Sequence, residues 1–161
     1  MACPQASRAI DLRVRLEFAI ILITWVNHHN AFKLVNKSTN AFIYANGLLL
    51  LTVVFIPFPT SLVGEYLLTD HAAPAVVLYN AIGVVQSLGW VLIGDAALKG
   101  NLMKSEKARE QMRLNRKSGY FAIIIYSMMA ILAFWFPLLM AIATAVLWIF
   151  WLIYGINMKQ D

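Results

Sequence analysis

Long apolar runs separated by short polar turns set the pattern of this chain. Ser118 to Met158 holds no charged residue, nor does Ser38 to Gly64, and His71 to Gly94 holds only the titratable His71. A helix needs about 20 apolar residues to cross a bilayer, so these runs supply four crossings, the longest being split near Pro137. A shorter run, Leu16 to Val26, reaches membrane length only by continuing through Ile23-Thr-Trp-Val-Asn-His-His-Asn-Ala-Phe32 to Leu34. On a helix Trp25, His28, His29 and Phe32 then line one stripe, with Asn27 and Asn30 beside it. Hydrocarbon tolerates such a stripe only where neighbouring helices or water cover it. The pattern predicts an all-α, polytopic helical membrane protein with five transmembrane helices, over about 16–34, 41–63, 74–98, 119–136 and 138–156. A polar tail at 1–15 precedes them and a basic loop at 99–118 joins the third to the fourth, where the spacing of Glu106, Lys107, Glu110 and Arg113 suggests a short helix.

Several interruptions within the spans point to chemistry. Pro57 and Pro59 remove two backbone donors from the second span, in Phe55-Ile-Pro-Phe-Pro-Thr-Ser61, so that helix must kink or end there. Their main expected effect is to shape the outer end of the helix, with ion coordination by the freed carbonyls as a lesser alternative. The third span carries Asn80, Gln86 and Ser87 among its apolar residues, and Gly83 with Ser87 forms a small-xxx-small pair that permits close helix approach. Asp95, at its inner end, is either a cation-attracting charge at a pore mouth or the partner of Lys99 four residues on; the spacing favours the pair.

Composition supports the membrane reading and narrows the chemistry. The chain is 61% hydrophobic and 13% charged, against roughly 45–50% and 25% in soluble domains. Its net charge of +5 does not imply nucleic acid, because seven of the thirteen Lys and Arg residues fall between Lys99 and Lys117. That concentration puts the 99–118 segment and the C-terminus in the cytoplasm, and a basic surface there also attracts anionic lipid. Three arginines, Arg8, Arg13 and Arg15, fall in the tail, which five spans would place outside, against the charge rule. No metal site is expected. Cys3 is the only cysteine, and adjacent helical residues such as His28 and His29 point about 100° apart. No nucleophile has a base and an acid at matching depth and no phosphate loop occurs, so the chain does not read as an enzyme, and no cofactor is implied.

Two blocks carry a likeness to a known family. Trp25-Val-Asn-His-His-Asn-Ala-Phe32, followed by a Leu-rich helix, Ile56-Pro-Phe-Pro-Thr60 and Gly64-Glu-Tyr66, resembles the transmembrane protein 175 family of potassium channels over roughly residues 20 to 158. The resemblance implies six helices per repeat with both termini cytoplasmic, and tetramers of single repeats in bacterial members. It also implies a first helix with an Arg-x-x-x-Phe-Ser-Asp motif that lines the pore. A Trp, an Asn and a His of the second helix would contact that motif in a polar network, roles that fall here on Trp25, Asn27 and His28. No Phe-Ser-Asp occurs in the sequence, so the chain looks like helices two to six, and a preceding helix would bring the three arginines inside.

The expected function is passive potassium conduction by a homo-oligomer, tetrameric by the resemblance, in contact with membrane lipid and with K+ as the permeant ion. The membrane is that of the cell in a prokaryote and of the endosome or lysosome in an animal. Two alternatives stay open. One is a non-conducting scaffold or assembly protein without the pore helix. The other is a small-solute transporter, for which half-repeats with internal symmetry are expected and none is found.

Overall fold

The computed structural model describes the backbone of residues 4–157, in six α-helices: α1 (Pro4–Phe32), α2 (Asn40–Phe55), α3 (Pro57–Tyr66), α4 (Ala72–Lys99), α5 (Glu106–Leu132) and α6 (Pro137–Asn157). The chain expected as a tail over 1–15 is helical from Pro4. Met1–Cys3 and the terminal 158–161, with Lys159 and Asp161, lie outside the described residues.

Local sequence explains where the helices begin and turn. Thr39 is extended and its side chain accepts from the Phe42 N–H at 3.4 Å, which caps α2. Pro57 occupies the first turn of α3, where its missing N–H costs nothing, and Ile56 between the two helices keeps right-handed helical dihedrals. Ile56 N–H bonds the Thr52 carbonyl at 3.1 Å and the Val53 carbonyl at 3.3 Å. The tightened turn thereby takes up an acceptor that Pro57 cannot serve. Residues 40–66 therefore form one bent rod, and the double proline kinks the helix without ending it.

The turn after α4 is closed by Asn101, whose φ of 56° is left-handed, a conformation that Asn adopts more readily than most residues. Leu102 N–H reaches back to the Ala97 carbonyl at 3.1 Å, and its side chain is buried. This is the Schellman ending of a helix.

The short helix suggested within the basic connection is present and longer than expected, because it runs on into the next span as α5. Ser105 caps α5 by accepting from the Ala108 N–H at 3.1 Å, and Glu106 stands in the first turn, where negative charge is favoured. Arg113 pairs with Glu110 at 3.1 Å along the exposed face. From there α5 runs unbroken past Gly119 to Leu132. The turn itself pairs with the α1–α2 connection: Asn36 N–H bonds the Leu102 carbonyl and Lys104 N–H the Leu34 carbonyl, each at 3.0 Å.

α4 is the centre of the bundle and packs against α2, α3, α5 and α6. Small residues let the neighbours in. A Cβ on Gly83 would stand 2.8 Å from Tyr126 Cδ1 of α5, and one on Gly89 would stand 3.2 Å from the Leu49 Cα of α2. Leu49, Ile93, Leu102 and Met112 form one apolar core, while Val76, Met129, Ala133 and Met140 form a second. The outer surface is apolar as well. Leu139, Ile142, Val146, Ile149, Ile153 and Ile156 repeat at helical spacing along α6 and are all exposed. Water would not tolerate such a stripe, but lipid does. The rods Asn40–Tyr66, Ala72–Lys99 and Pro137–Asn157 are each long and apolar enough to cross a membrane by length and composition. α5 is charged over its first turns and apolar from Gly119 on. The protein is an all-α, polytopic membrane protein.

Candidate functional site

The polar stripe of α1 divides between two neighbours. Toward α6, Asn27 Nδ2 donates to the Trp151 carbonyl at 3.2 Å and to the Ile23 carbonyl of its own helix at 3.0 Å. One turn on, Asn30 Nδ2 donates to the Gly155 carbonyl at 2.9 Å. Gly155 allows this approach, since a Cβ there would lie 2.7 Å from Asn27 Oδ1. Each carboxamide thus satisfies itself on backbone carbonyls, which is what polar groups buried between helices in lipid require.

Toward α2, the His28 ring is stacked between two aromatic rings of its own helix. Trp25 lies 5.6 Å away at 17° and Phe32 4.0 Å away at 26°, with Trp90 of α4 edge-on at 6.3 Å. His28 Nε2 is 2.9 Å from Asn46 Oδ1 of α2. An amide oxygen only accepts, so Nε2 carries the hydrogen in this pairing. Nδ1 is then a buried acceptor with no hydrogen-bond partner among the described residues. Phe32 continues the row to Phe42 of α2 at 5.0 Å. Trp25, at the other end, is 57% exposed, and His29 is exposed beside it.

The three residues expected to form one network are therefore not equivalent. Trp25 and His28 stack on each other, whereas Asn27 faces away from them toward α6. Sequence reading missed Asn46, because a lone Asn in a Leu-rich helix gives no sign of its partner. Among the described residues no group of three or more His, Cys, Asp or Glu side chains is placed to hold a metal ion.

Asp95 is held from two sides. Arg116 Nη1 of α5 donates to Oδ1 at 2.7 Å, and Lys99 Nζ lies 3.7 Å from Oδ2. The spacing of four anticipated the Lys99 contact; Arg116, the nearer cation, is 21 residues away and could not be read from the sequence. With two cations on one carboxylate the site offers no free negative charge, which argues against a cation-attracting mouth at Asp95. Pro57 and Pro59 stand apart from both groups, at the bend of the α2–α3 rod, where Thr60 N–H and Thr60 Oγ1 both bond the Ile56 carbonyl, at 3.2 and 2.8 Å.

Elsewhere α4 is tied to its neighbours by neutral polar pairs. Gln86 Nε2 donates to Thr24 Oγ1 of α1 at 3.2 Å, and Thr144 Oγ1 of α6 donates to Asn80 Oδ1 at 3.0 Å. Trp148 Nε1 of α6 donates to the Tyr79 hydroxyl at 2.9 Å.

Residues 12–57 match the family model described as the endosomal/lysosomal potassium channel TMEM175. A potassium channel from Chamaesiphon minutus is 41% identical over 91 residues, which is 56% of this chain and 45% of that one. Another, from Streptomyces collinus, is 36% identical over 76 residues, or 47% of this chain and 37% of the relative. The chain thus spans under half the length of these curated relatives. The crystal structure of a lysosomal potassium-selective channel TMEM175 homolog from Chamaesiphon minutus superposes with a TM-score of 0.77 at 32% identity, covering 89% of this chain and 72% of that one. In sequence along α1 and in fold across the bundle, the chain belongs to the TMEM175 family.

Proposed function

We propose that this chain is a subunit of a potassium channel that passes K+ passively across a membrane, without turnover chemistry. The observation that carries the reading is the α1 stripe. Its Asn27 side is tied to α6 inside the subunit, while its Trp25 and His29 side is exposed. A half-finished aromatic and polar surface of this kind fits a helix that meets a pore-lining element. The similarity of residues 12–57 to channels of the family supports it. Trp25 would meet that element directly, His28 would set the Trp25 ring by stacking behind it, and Asn27 would hold α1 in place.

The assembly we propose is a homotetramer in lipid, with the charged first turns of α5 and the end of α6 on the cytoplasmic side. Its membrane would be the cell membrane in a prokaryote or the endosomal-lysosomal membrane in an animal. A non-conducting scaffold subunit is the second reading, favoured by how fully α4 and α6 spend their polar groups inside one subunit. Purified protein in liposomes under a K+ gradient separates the two. Flux well above protein-free vesicles, reduced by His28→Leu, is expected. Folded, oligomeric protein that carries no K+ would reject conduction in favour of the scaffold.

A further inference from the structure

Two connections far apart in the sequence meet at the end of the bundle where α1 and α4 finish. The hydrogen bonds from Asn36 N–H to the Leu102 carbonyl and from Lys104 N–H to the Leu34 carbonyl make 34–36 and 102–104 a short antiparallel pair around Val35 and Met103. Backbones paired in this way stand about 5 Å apart. Lys33 and Lys37 flank one side of the pair, Lys99 and Lys104 belong to the other, and all four are exposed. Neither 33–37 nor 99–105 contains a carboxylate.

The acids nearby are already engaged. Asp95 is held by Arg116 and Lys99, and Glu106 and Glu110 share Arg113, at 4.0 and 3.1 Å. Lys37 and Lys104 enter no ion pair among the described residues. Segments 33–37 and 99–117 together hold nine of the thirteen Lys and Arg residues against two Glu, so the positive excess of the chain gathers here. Like charges held close by a fixed backbone repel one another, and a bound anion relieves that repulsion. A lysine ammonium is a point charge on a flexible stem. Several of them can therefore converge on one headgroup that carries more than one phosphate.

The surface next to the lysines selects a lipid over a soluble anion. α2 begins at Asn40, three residues after Lys37, and presents an apolar face outward. Tyr44, Leu51 and Val54 share that face by their spacing and are 79%, 60% and 77% exposed. Between them a Cβ on Gly47 would meet nothing within 4 Å, so the face is notched and open. From Tyr44 to Val54 the helix rises about 15 Å, which is the hydrocarbon depth of one leaflet, half of about 30 Å. The cations thus stand at the head of a surface that an acyl chain can follow. A soluble polyphosphate or an acidic peptide would make no use of it.

We propose that the paired connections form a headgroup site for a phospholipid bearing two phosphates, with Lys37 and Lys104 as its main contacts and the Tyr44–Val54 face of α2 carrying an acyl chain. The site rests on the membrane placement of this end of the bundle and does not depend on conduction, so a chain that carries no K+ should bind the lipid equally well. Native mass spectrometry of the detergent-solubilised full chain tests it, with diphosphatidylglycerol, phosphatidylglycerol at matched total charge, and inorganic pyrophosphate as probes. Diphosphatidylglycerol should bind at least about tenfold tighter than phosphatidylglycerol. Lys37→Gln and Lys104→Gln should each weaken it about fivefold, and the double variant about 25-fold. Both side chains are exposed, so neither change disturbs the core. Lys117→Gln removes the same charge about 20 Å further along α5 from Lys104 and should change binding less than about twofold. Equal affinity for the two lipids, displacement of the lipid by equimolar pyrophosphate, or a loss in Lys117→Gln as large as in Lys37→Gln would overturn the proposal.

Discussion

In α4 the polar side chains Asn80, Gln86 and Ser87 are buried and hydrogen-bonded inside the subunit, whereas in α1 Trp25 and His29 stand exposed and one His28 nitrogen has no hydrogen-bond partner among the described residues. Both helices carry neutral polar groups in a membrane protein, yet they use them differently. In α4 they lock a helix that is surrounded on most sides. In α1 they are paired toward α6 through Asn27 and Asn30, toward α2 through His28 and toward α4 through Thr24, and the exposed face at Trp25 and His29 is left for something outside the chain's own fold. Removing a group from α4 should therefore cost stability, and removing one from the open face of α1 should cost function. Gly89→Val tests the first half most severely. Its Cβ would meet the Leu49 backbone at 3.2 Å, which cannot yield as a side chain end could. A loss of about 3 kcal/mol in reversible SDS unfolding is expected; a variant as stable as the parent would mean that α2 and α4 are not pressed together there.

Asn80→Leu is the milder break of the same helix. Asn80 is fully buried and accepts from Thr144 while donating to the Val76 carbonyl at 2.9 Å. Thr144 keeps a second acceptor, the Met140 carbonyl at 2.8 Å, so it is not orphaned. The expected cost is about 1 kcal/mol, since hydrogen bonds between membrane helices are worth roughly 0.6–1.7 kcal/mol. A double-mutant cycle with Thr144→Val measures it, and a coupling near zero would remove this pair from what holds α4 to α6.

How much of this was visible beforehand depends on the range of the interaction. The apolar runs, the α1 stripe and the proline bend rest on neighbours within a turn or two, and they were legible. Periodicity placed Trp25, His28 and Phe32 on one face, and they stack there. It could not say that Asn27 would turn to α6 while His28 turned to α2, because that is decided by which helices arrive on each side. In the basic segment Glu106, Lys107, Glu110 and Arg113 fall within i,i+3 and i,i+4 reach, which foretells a short helix, while the next span is expected to begin afresh at Gly119. Gly119 is instead a point of close packing, where a Cβ would stand 2.9 Å from Val91 Cγ2, so the helix continues through it. A cavity of about 70 Å³ between α1, α4, α5 and α6 is likewise made by four helices at once and has no local signature.

Asp95→Asn probes the polar end of α4, where it meets the charged part of α5. Asparagine keeps an oxygen for Arg116 and loses only the charge. Both side chains are partly exposed, at 24% and 33%, so water screens the pair. The expected loss is about 0.5 kcal/mol. The parent's stability should also fall as salt is raised while the variant's stays flat. A variant with unaltered salt response would show that the Arg116 contact contributes geometry alone.

Trp25→Leu carries the smallest stability effect and the sharpest test of the contrast. The indole is 57% exposed, and its only ring partner among the described residues is His28, at 5.6 Å and on the same helix. Leucine is comfortable in lipid and in a helix, so subunit unfolding should shift by less than about 0.5 kcal/mol. If α1 meets a pore-lining element or another subunit through this face, K+ flux or oligomer yield must change even though the subunit remains as stable as before. Size-exclusion chromatography and vesicle flux on the same preparation read both. Should stability fall by as much as in Asn80→Leu while flux and assembly persist, the Trp25 end of α1 would be one more packing surface, and the distinction between the two helices would vanish.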